Sequence, residues 1–416
     1  MRLRGLVPIG IFLLVAGCGS AGPVTSQLVR ADVPRATASV APADAAALQD
    51  GNAVFAGRLL TELARGRENV ALSPASISEA LSMAFAGARG ATASEMATAL
   101  DFNLPPAGLG AAFNAVDRSL EGVNGPDVTL NVANALYGQT GQRFNQDFLR
   151  VLARDYGAGL RTADFERAAE AARAEINAWV SEQTAGKIPD LLAAGDVDPS
   201  TRLMLVNAVY LKARWLVPSS KESTIPAAFH APGDAVEVPT MHETGAFGYL
   251  QGDGYQALEL PYRGGRLAFD ILLPSSGGLQ SMLARLAGEG PLTLLDGMQR
   301  QRVGVALPKF RLDTRFELAA PLRALGMRLA FEPGSADLSG IAGRPGDLYV
   351  GTVVHEAYLS VDEEGTEAAA ATAVGIRASA MPAPPPIQFV VDRPFVFVLR
   401  DLKTGAVLFT GVVSRP

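Results

Sequence analysis

A chain of 416 residues with 48% apolar side chains can bury one large core or two or three ordinary ones. Its formal net charge of −6 offers no basic footprint, so nucleic acid is excluded as a partner. Three His and one Cys leave too little for a metal centre or a disulfide framework, and no cofactor is expected.

Met1–Cys18 has the form of an export signal. Arg2 and Arg4 precede an apolar run, Leu6–Ala16, that is too short to span a bilayer well. It ends Leu14-Val15-Ala16-Gly17-Cys18, which resembles a bacterial lipoprotein signal, where the Cys becomes the lipidated N-terminus after cleavage. The only Cys of the chain stands at that place. A lipid anchor at Cys18, in the membrane of a bacterial cell envelope on its periplasmic or cell-surface side, is the expectation. Gly19–Asp44 is rich in Ala, Ser, Pro and Val without a clear period and reads as a flexible tether. One folded domain is expected over 45–416.

Ala46–Arg65 has helical spacing, with Leu48, Phe55, Leu59, Leu60 and Leu63 on one broad face. The apolar run Asn69–Leu72 leads to Ser73-Pro74, a helix-start signal, and the helix runs through Met83. Ala91–Leu100 and Ala111–Leu120 read as further helices, Val128–Gly138 as a strand, Phe144–Tyr156 and Glu166–Thr184 as helices, and Leu203–Leu211 as a strongly apolar strand. Strand signals then dominate: Val236–Met241, Phe247–Leu250, Gln256–Tyr262, Leu267–Leu273 and Val303–Phe310. Gly277–Leu286 and Phe316–Met327 read as helices; Leu348–Val361, Phe389–Arg400 and Val407–Val413 read as strands. Helices crowd the first half and strands the second, an α+β distribution.

The segment from about Asp362 to Pro386 is too long for an ordinary connection. It opens Glu363-Glu364-Gly365-Thr366-Glu367-Ala368-Ala369-Ala370-Ala371-Thr372 and ends in a Pro cluster. Thr366, Ala368, Ala370 and Thr372 share one parity, and Glu367 falls on the other, so a strand here would have one small, uncharged face. An Ala-rich solvated linker fits the same residues. Gly365 can serve as a hinge for either.

This stretch resembles the reactive-loop hinge of the serpins, whose pattern is Glu-Glu-Gly-Thr-Glu followed by small residues. The likeness extends over most of 45–416. Asn69…Ser73-Pro74…Ser76-Ile77, Asn131–Leu136, Ile176-Asn177…Trp179-Val180…Thr184…Gly186-Lys187-Ile188 and Leu205–Tyr210…Lys212…Trp215 follow the family's order. So do Pro308-Lys309-Phe310, Ala336–Ile341, His355-Glu356-Ala357 and Arg393-Pro394-Phe395. The resemblance implies a serpin fold: helices around a large central mixed β-sheet, further sheets and an exposed reactive loop. It assigns Ser73, Ser76, Asn207 and His355 to a polar cluster below the middle of that sheet, the shutter, and Trp215 to its upper end, the breach.

It also implies a monomeric suicide inhibitor of a serine protease. Counting fourteen residues on from Gly365 puts the reactive bond at Ser379-Ala380, which suits an elastase- or subtilisin-like target. Arg377-Ala378 is the rival and suits a trypsin-like one. The alternative within the family is a non-inhibitory member acting as a binding or chaperone-like envelope protein; such members tend to carry Pro, charged or bulky residues in the hinge. An enzyme has no support. His355-Glu356 begins a zinc-protease pattern, but Leu359 stands where the second His belongs.

Overall fold

The structure is a computed structural model and describes residues 26–37, 39–275, 277–366 and 384–416. Its helices are α1 (Pro42–Leu63), α2 (Pro74–Phe85), α3 (Gly90–Ala99), α4 (Pro106–Glu121), α5 (Gln146–Asp155), α6 (Phe165–Gln183), α7 (Leu279–Thr293) and α8 (Ala319–Ala324). The strands of the first part are β1 (Gln27–Val29), β2 (Asn69–Leu72), β3 (Val128–Gln139), β4 (Leu160–Ala163) and β5 (Leu203–Arg214). Next come β6 (Ile225–His230), β7 (Ala235–Gly252), β8 (Tyr255–Pro261), β9 (Leu267–Pro274), β10 (Gln299–Pro308) and β11 (Phe310–Glu317). Then follow β12 (Thr352–Val361), β13 (Gly365–Thr366), β14 (Ile387–Val390), β15 (Phe395–Asp401) and β16 (Val407–Val413).

They form two sheets. The first has the order β1-β4-β3-β5-β13-β12-β11, and the second β14-β10-β7-β8-β9-β15-β16-β2, with β6 added to β7. In the first sheet β5 is antiparallel to β3 but parallel to β12, so it is mixed. β5 is buried along almost its whole length because both its faces are covered, which is why it reads as a continuous apolar run rather than an alternating one. Met204, Val206, Ala208 and Tyr210 pack under α6 and the segment carrying Ile188, Leu191 and Leu192. Leu203 and Leu205 face the helical side, and Val209, Leu211 and Ala213 face the second sheet.

Four expectations change. Phe316–Met327 is not one helix: β11 runs through Phe316, which lies opposite His355 in the ladder, and only Ala319–Ala324 is helical. A ladder partner about forty residues away outweighs the local helical period there. Val236–Met241 and Phe247–Leu250 are parts of one strand, β7. Phe389–Arg400 is broken between β14 and β15, where Arg393-Pro394 lies and Pro394 has no N–H to donate. The fourth concerns the expected tether. From Ser26 onward it belongs to the body: β1 pairs antiparallel with β4, Leu28 opposite Arg161. Further on, Arg35 donates from Nε to Asn114 Oδ1 at 2.8 Å and from Nη1 to Glu121 at 2.6 Å, and it pairs with Asp117. Ala36 N–H reaches Arg154 O at 2.7 Å. Helix α1 begins at Pro42 rather than Ala46.

Candidate functional site: a slot in the large sheet

β5 and β12 lie side by side over seven residue pairs, from Thr352 opposite Met204 to Tyr358 opposite Tyr210. Above that level they part, and β13 lies between them. Thr366 is opposite Val361 on one side and Ala213 on the other, and Gly365 is opposite Arg214. The chain reverses at Asp362, whose carboxylate Oδ1 accepts from the N–H groups of Glu364 (2.9 Å) and Gly365 (3.2 Å). A Cβ at Gly365 would come within 2.0 Å of Ala213 O, so only glycine fits that entry point.

Several groups hold the entry in place. Trp215 donates from Nε1 to Asp362 O at 2.9 Å, and its backbone N–H donates to Glu364 O at 2.9 Å. Its ring stacks on Tyr262 with centroids 4.4 Å apart and planes 11° from parallel. Tyr262 hydroxyl is hydrogen-bonded to Thr366 Oγ1, and burial pushes the phenol's pKa up. Glu363 is buried. Burial works against its charge, but Lys309 Nζ at 2.8 and 3.0 Å, with Thr224 Oγ1 donating at 2.8 Å, keeps the carboxyl below its ordinary range.

The shutter residues meet lower down, at one level across three strands. Asn134 of β3 is opposite Asn207 of β5, and Asn207 is opposite His355 of β12. His355 Nε2 accepts from the backbone N–H of Ser73 at 3.0 Å, so its proton sits on Nδ1 and is donated to Asn207 Oδ1. Asn207 Nδ2 in turn donates to Ser76 Oγ and Asn134 Oδ1. Asn134 Nδ2 donates to Glu79 Oε2 at 2.9 Å. His355 is fully buried, and desolvation drops its pKa to about 3, so the imidazole is neutral. Burial, and then the charge of Asp117, push Glu79 up to about 8. Only the His355–Asn207 bond among these crosses the seam between β5 and β12.

Ser73, Ser76, Asn207 and His355 thus come together, and Trp215 sits beside the hinge. Ser73 stands at the N-cap of α2, as its place before Pro74 predicts, but its hydroxyl makes no capping bond, and it joins the cluster through its backbone. Glu363, Glu364, Gly365 and Thr366 of the hinge are at the slot. Glu367, Ala368, Ala369, Ala370, Ala371 and Thr372, the reactive-bond candidates Arg377, Ala378, Ser379 and Ala380, and Cys18 lie outside the described residues. Asn134 and Glu79 were missed. Asn207 is a lone amide in an apolar strand, whereas Asn134 shares β3 with Asn131 and Gln139 and does not stand out; Glu79 carries no signal.

Among the described residues, no group of His, Cys, Asp and Glu could hold a metal ion. The family model described as "Serpin (serine protease inhibitor)" matches residues 50–416. The chain is 40% identical to an uncharacterized serpin-like protein of Thermococcus kodakarensis, over 87% of this chain and 84% of that one. It is 38% identical to the leukocyte elastase inhibitor of Homo sapiens, over 89% of this chain and 99% of the inhibitor. Among solved structures, the thermophilic serpin tengpin in its native state aligns with a TM-score of 0.85 at 27% identity, over 94% of this chain and all of that one. Serpin48 of Tenebrio molitor aligns with a TM-score of 0.78 at 32% identity, over 89% of this chain and 98% of that one. Family model, relatives and slot agree: the chain belongs to the serpin family.

Proposed function

We propose that this serpin is a suicide-substrate inhibitor of serine proteases, held in a bacterial envelope by a lipid on Cys18. The observation that carries the inhibitory reading is β13: the first residues of the loop already occupy the upper end of a slot between two parallel strands. A protease seryl hydroxyl attacks the carbonyl of Ser379, the peptide bond to Ala380 breaks, and the amine of Ala380 leaves with the C-terminal piece. Thr366–Ser379 is then free at its far end and continues the pairing that β13 has begun, carrying the acylated protease with it.

The energetics favour that continuation. Insertion gives up seven residue pairs between β5 and β12 and forms two new ladders in their place. Fourteen inserted residues at ~0.5–1.5 kcal/mol per net ladder bond amount to about 10 kcal/mol. The small residues Ala368, Ala370 and Thr372 meet the requirement that no charge be buried on the inward face. The vertebrate relatives are leukocyte elastase inhibitors, which supports a target with a small primary pocket. Arg377-Ala378 remains the alternative bond for a trypsin-like enzyme.

The test uses Gly19–Pro416 without lipid, mixed in turn with elastase, subtilisin, chymotrypsin and trypsin. A complex that survives denaturing electrophoresis, with a released peptide beginning at Ala380, is the expected result. A peptide beginning at Ala378 moves the bond to Arg377. Cleavage by every enzyme without a complex, and without a rise in melting temperature of the cleaved protein, overturns the inhibitory reading.

A further inference from the structure

The strand registers fix where the N-terminal arm leaves the body. Arg214, at the end of β5 beside the hinge, marks the upper pole of the large sheet, and Leu203 marks the lower one. Eleven steps at ~3.3 Å separate them, about 36 Å. Leu28 of β1 is opposite Arg161, Arg161 is opposite Tyr137, and Tyr137 is opposite Met204. β1 is therefore at the lower pole. It also enters from below: Gln27 pairs with Thr162, level with Gly138 and Leu203, whereas Val29 pairs with Leu160 further up.

The arm is then fastened on its way up. β1, the Arg35 contacts to Asn114, Asp117 and Glu121, and the Ala36–Arg154 bond hold it to β4, α4 and α5. A tether that was free from Cys18 to α1 would reach about 80–90 Å when extended and would let the body face any way. Only eight residue steps separate Cys18 from Ser26, a reach of at most about 29 Å.

We propose that the arm is an orienting clamp. It holds a chain attached at Cys18 to a lipid surface by the pole opposite the reactive loop, so the loop points away from the bilayer. The partner this presents it to is a soluble protease in the surrounding space rather than one embedded in the same membrane. The biological part of this inference rests on the lipid-anchored reading; the geometry is tested without it.

The chain has two tryptophans, and they mark the two poles. Trp179 lies low, 6.2 Å from Tyr137 between ring centroids and with the Arg161 guanidinium 4.8 Å from its ring. Trp215 lies high, beside the hinge. A Cys18–Pro416 chain has a single thiol, which couples to a maleimide lipid in vesicles that also carry a dansyl lipid. Energy transfer from each tryptophan is read from Trp215→Phe and Trp179→Phe; if one of them does not fold, subtracting the other from wild type gives the same quantity.

Transfer from Trp179 at least twice that from Trp215 is expected, and inserting about 30 Gly/Ser residues between Cys18 and Ser26 is expected to abolish the difference. Equal transfer from both, stronger transfer from Trp215, or a difference untouched by the insertion overturns the proposal. The mass of the N-terminal peptide from bacterial membranes tests lipidation separately. An unmodified Cys18 there sinks the anchor and leaves the vesicle result to decide the clamp.

Discussion

The two ends of the seam between β5 and β12 are built from different chemistry. At the upper end the strands part around Gly365 and Thr366, and the wedge is held by an aromatic stack, a buried hydroxyl and the Glu363–Lys309 ion pair. At the lower end they pair directly through their backbones, and midway along that stretch one neutral side-chain hydrogen bond of the buried amide and hydroxyl network, His355 to Asn207, also crosses. The first arrangement admits a strand. The second resists one until its groups can exchange partners, because a buried polar group left unpaired costs about 1–3 kcal/mol. On the proposed mechanism the sheet stays shut and then opens, and that needs both.

The change that breaks this division most completely is Thr366→Arg. It drives a charge into a fully buried position on the proposed path of insertion. The proteases should still cut the loop, but the yield of covalent complex should fall at least about tenfold, as band intensity on denaturing gels would show. A complex in normal yield would mean that the upper end does not need a small neutral residue. Trp215→Ala is next. It removes a buried ring, its stack on Tyr262 and the bond to Asp362 O, with an expected loss of about 3–5 kcal/mol in urea unfolding of the native form.

His355→Ala sharpens the contrast. It leaves Ser73 N–H and Asn207 Oδ1 unpaired, for a loss of about 1–3 kcal/mol, and insertion after cleavage should speed up rather than slow down. Stopped-flow fluorescence of the loop measures that rate, and a slower one would refute the lower end as a brake.

The last effect is on pH dependence, and it is small only per pH unit. Glu79 keeps a proton in the folded state up to about pH 8 that the unfolded chain releases near 4.5, so it withdraws stability as pH rises across that window. His355 refuses, down to about pH 3, a proton that the unfolded chain takes up near 6.5, so it withdraws stability as pH falls from there. Each contributes a slope of at most ~1.4 kcal/mol per pH unit. Relative to wild type, Glu79→Gln should flatten the alkaline side of the stability curve and His355→Gln the acid side. A Glu79→Gln curve that parallels wild type from pH 5 to 8 would place that carboxylate outside the network.

Much of this is legible in the sequence. Long apolar strands such as β5 and helices such as α1 and α2 declare themselves by period, and Gly365 by its place between acidic and small residues. What was not legible depended on distance. β1 is three residues long, and its fastening, Arg35, finds its carboxylates more than eighty residues away, so composition alone made the arm a tether. β4 is four residues long, below the length at which a period can be seen. Phe316 satisfies a helical pattern and a ladder equally well, and only its partner on β12 decides. Glu79 looks like any solvated helical carboxylate until Asn134 closes over it.

The neutrality of the lower network has a consequence for ionic strength. The side-chain bond that crosses the seam there, His355 to Asn207, carries no charge, so mobile ions have little to screen in it. The upper end differs: Glu363 pairs with Lys309, and Glu364 lies 3.7 Å from the exposed ammonium of Lys221. With a Debye length falling from about 10 Å at 0.1 M salt to about 3 Å at 1 M, the Glu364–Lys221 attraction weakens first and the buried Glu363 pair last. Added salt thus acts as a selective reagent: on the proposed mechanism it loosens the place where the loop enters more than the place it would have to pass.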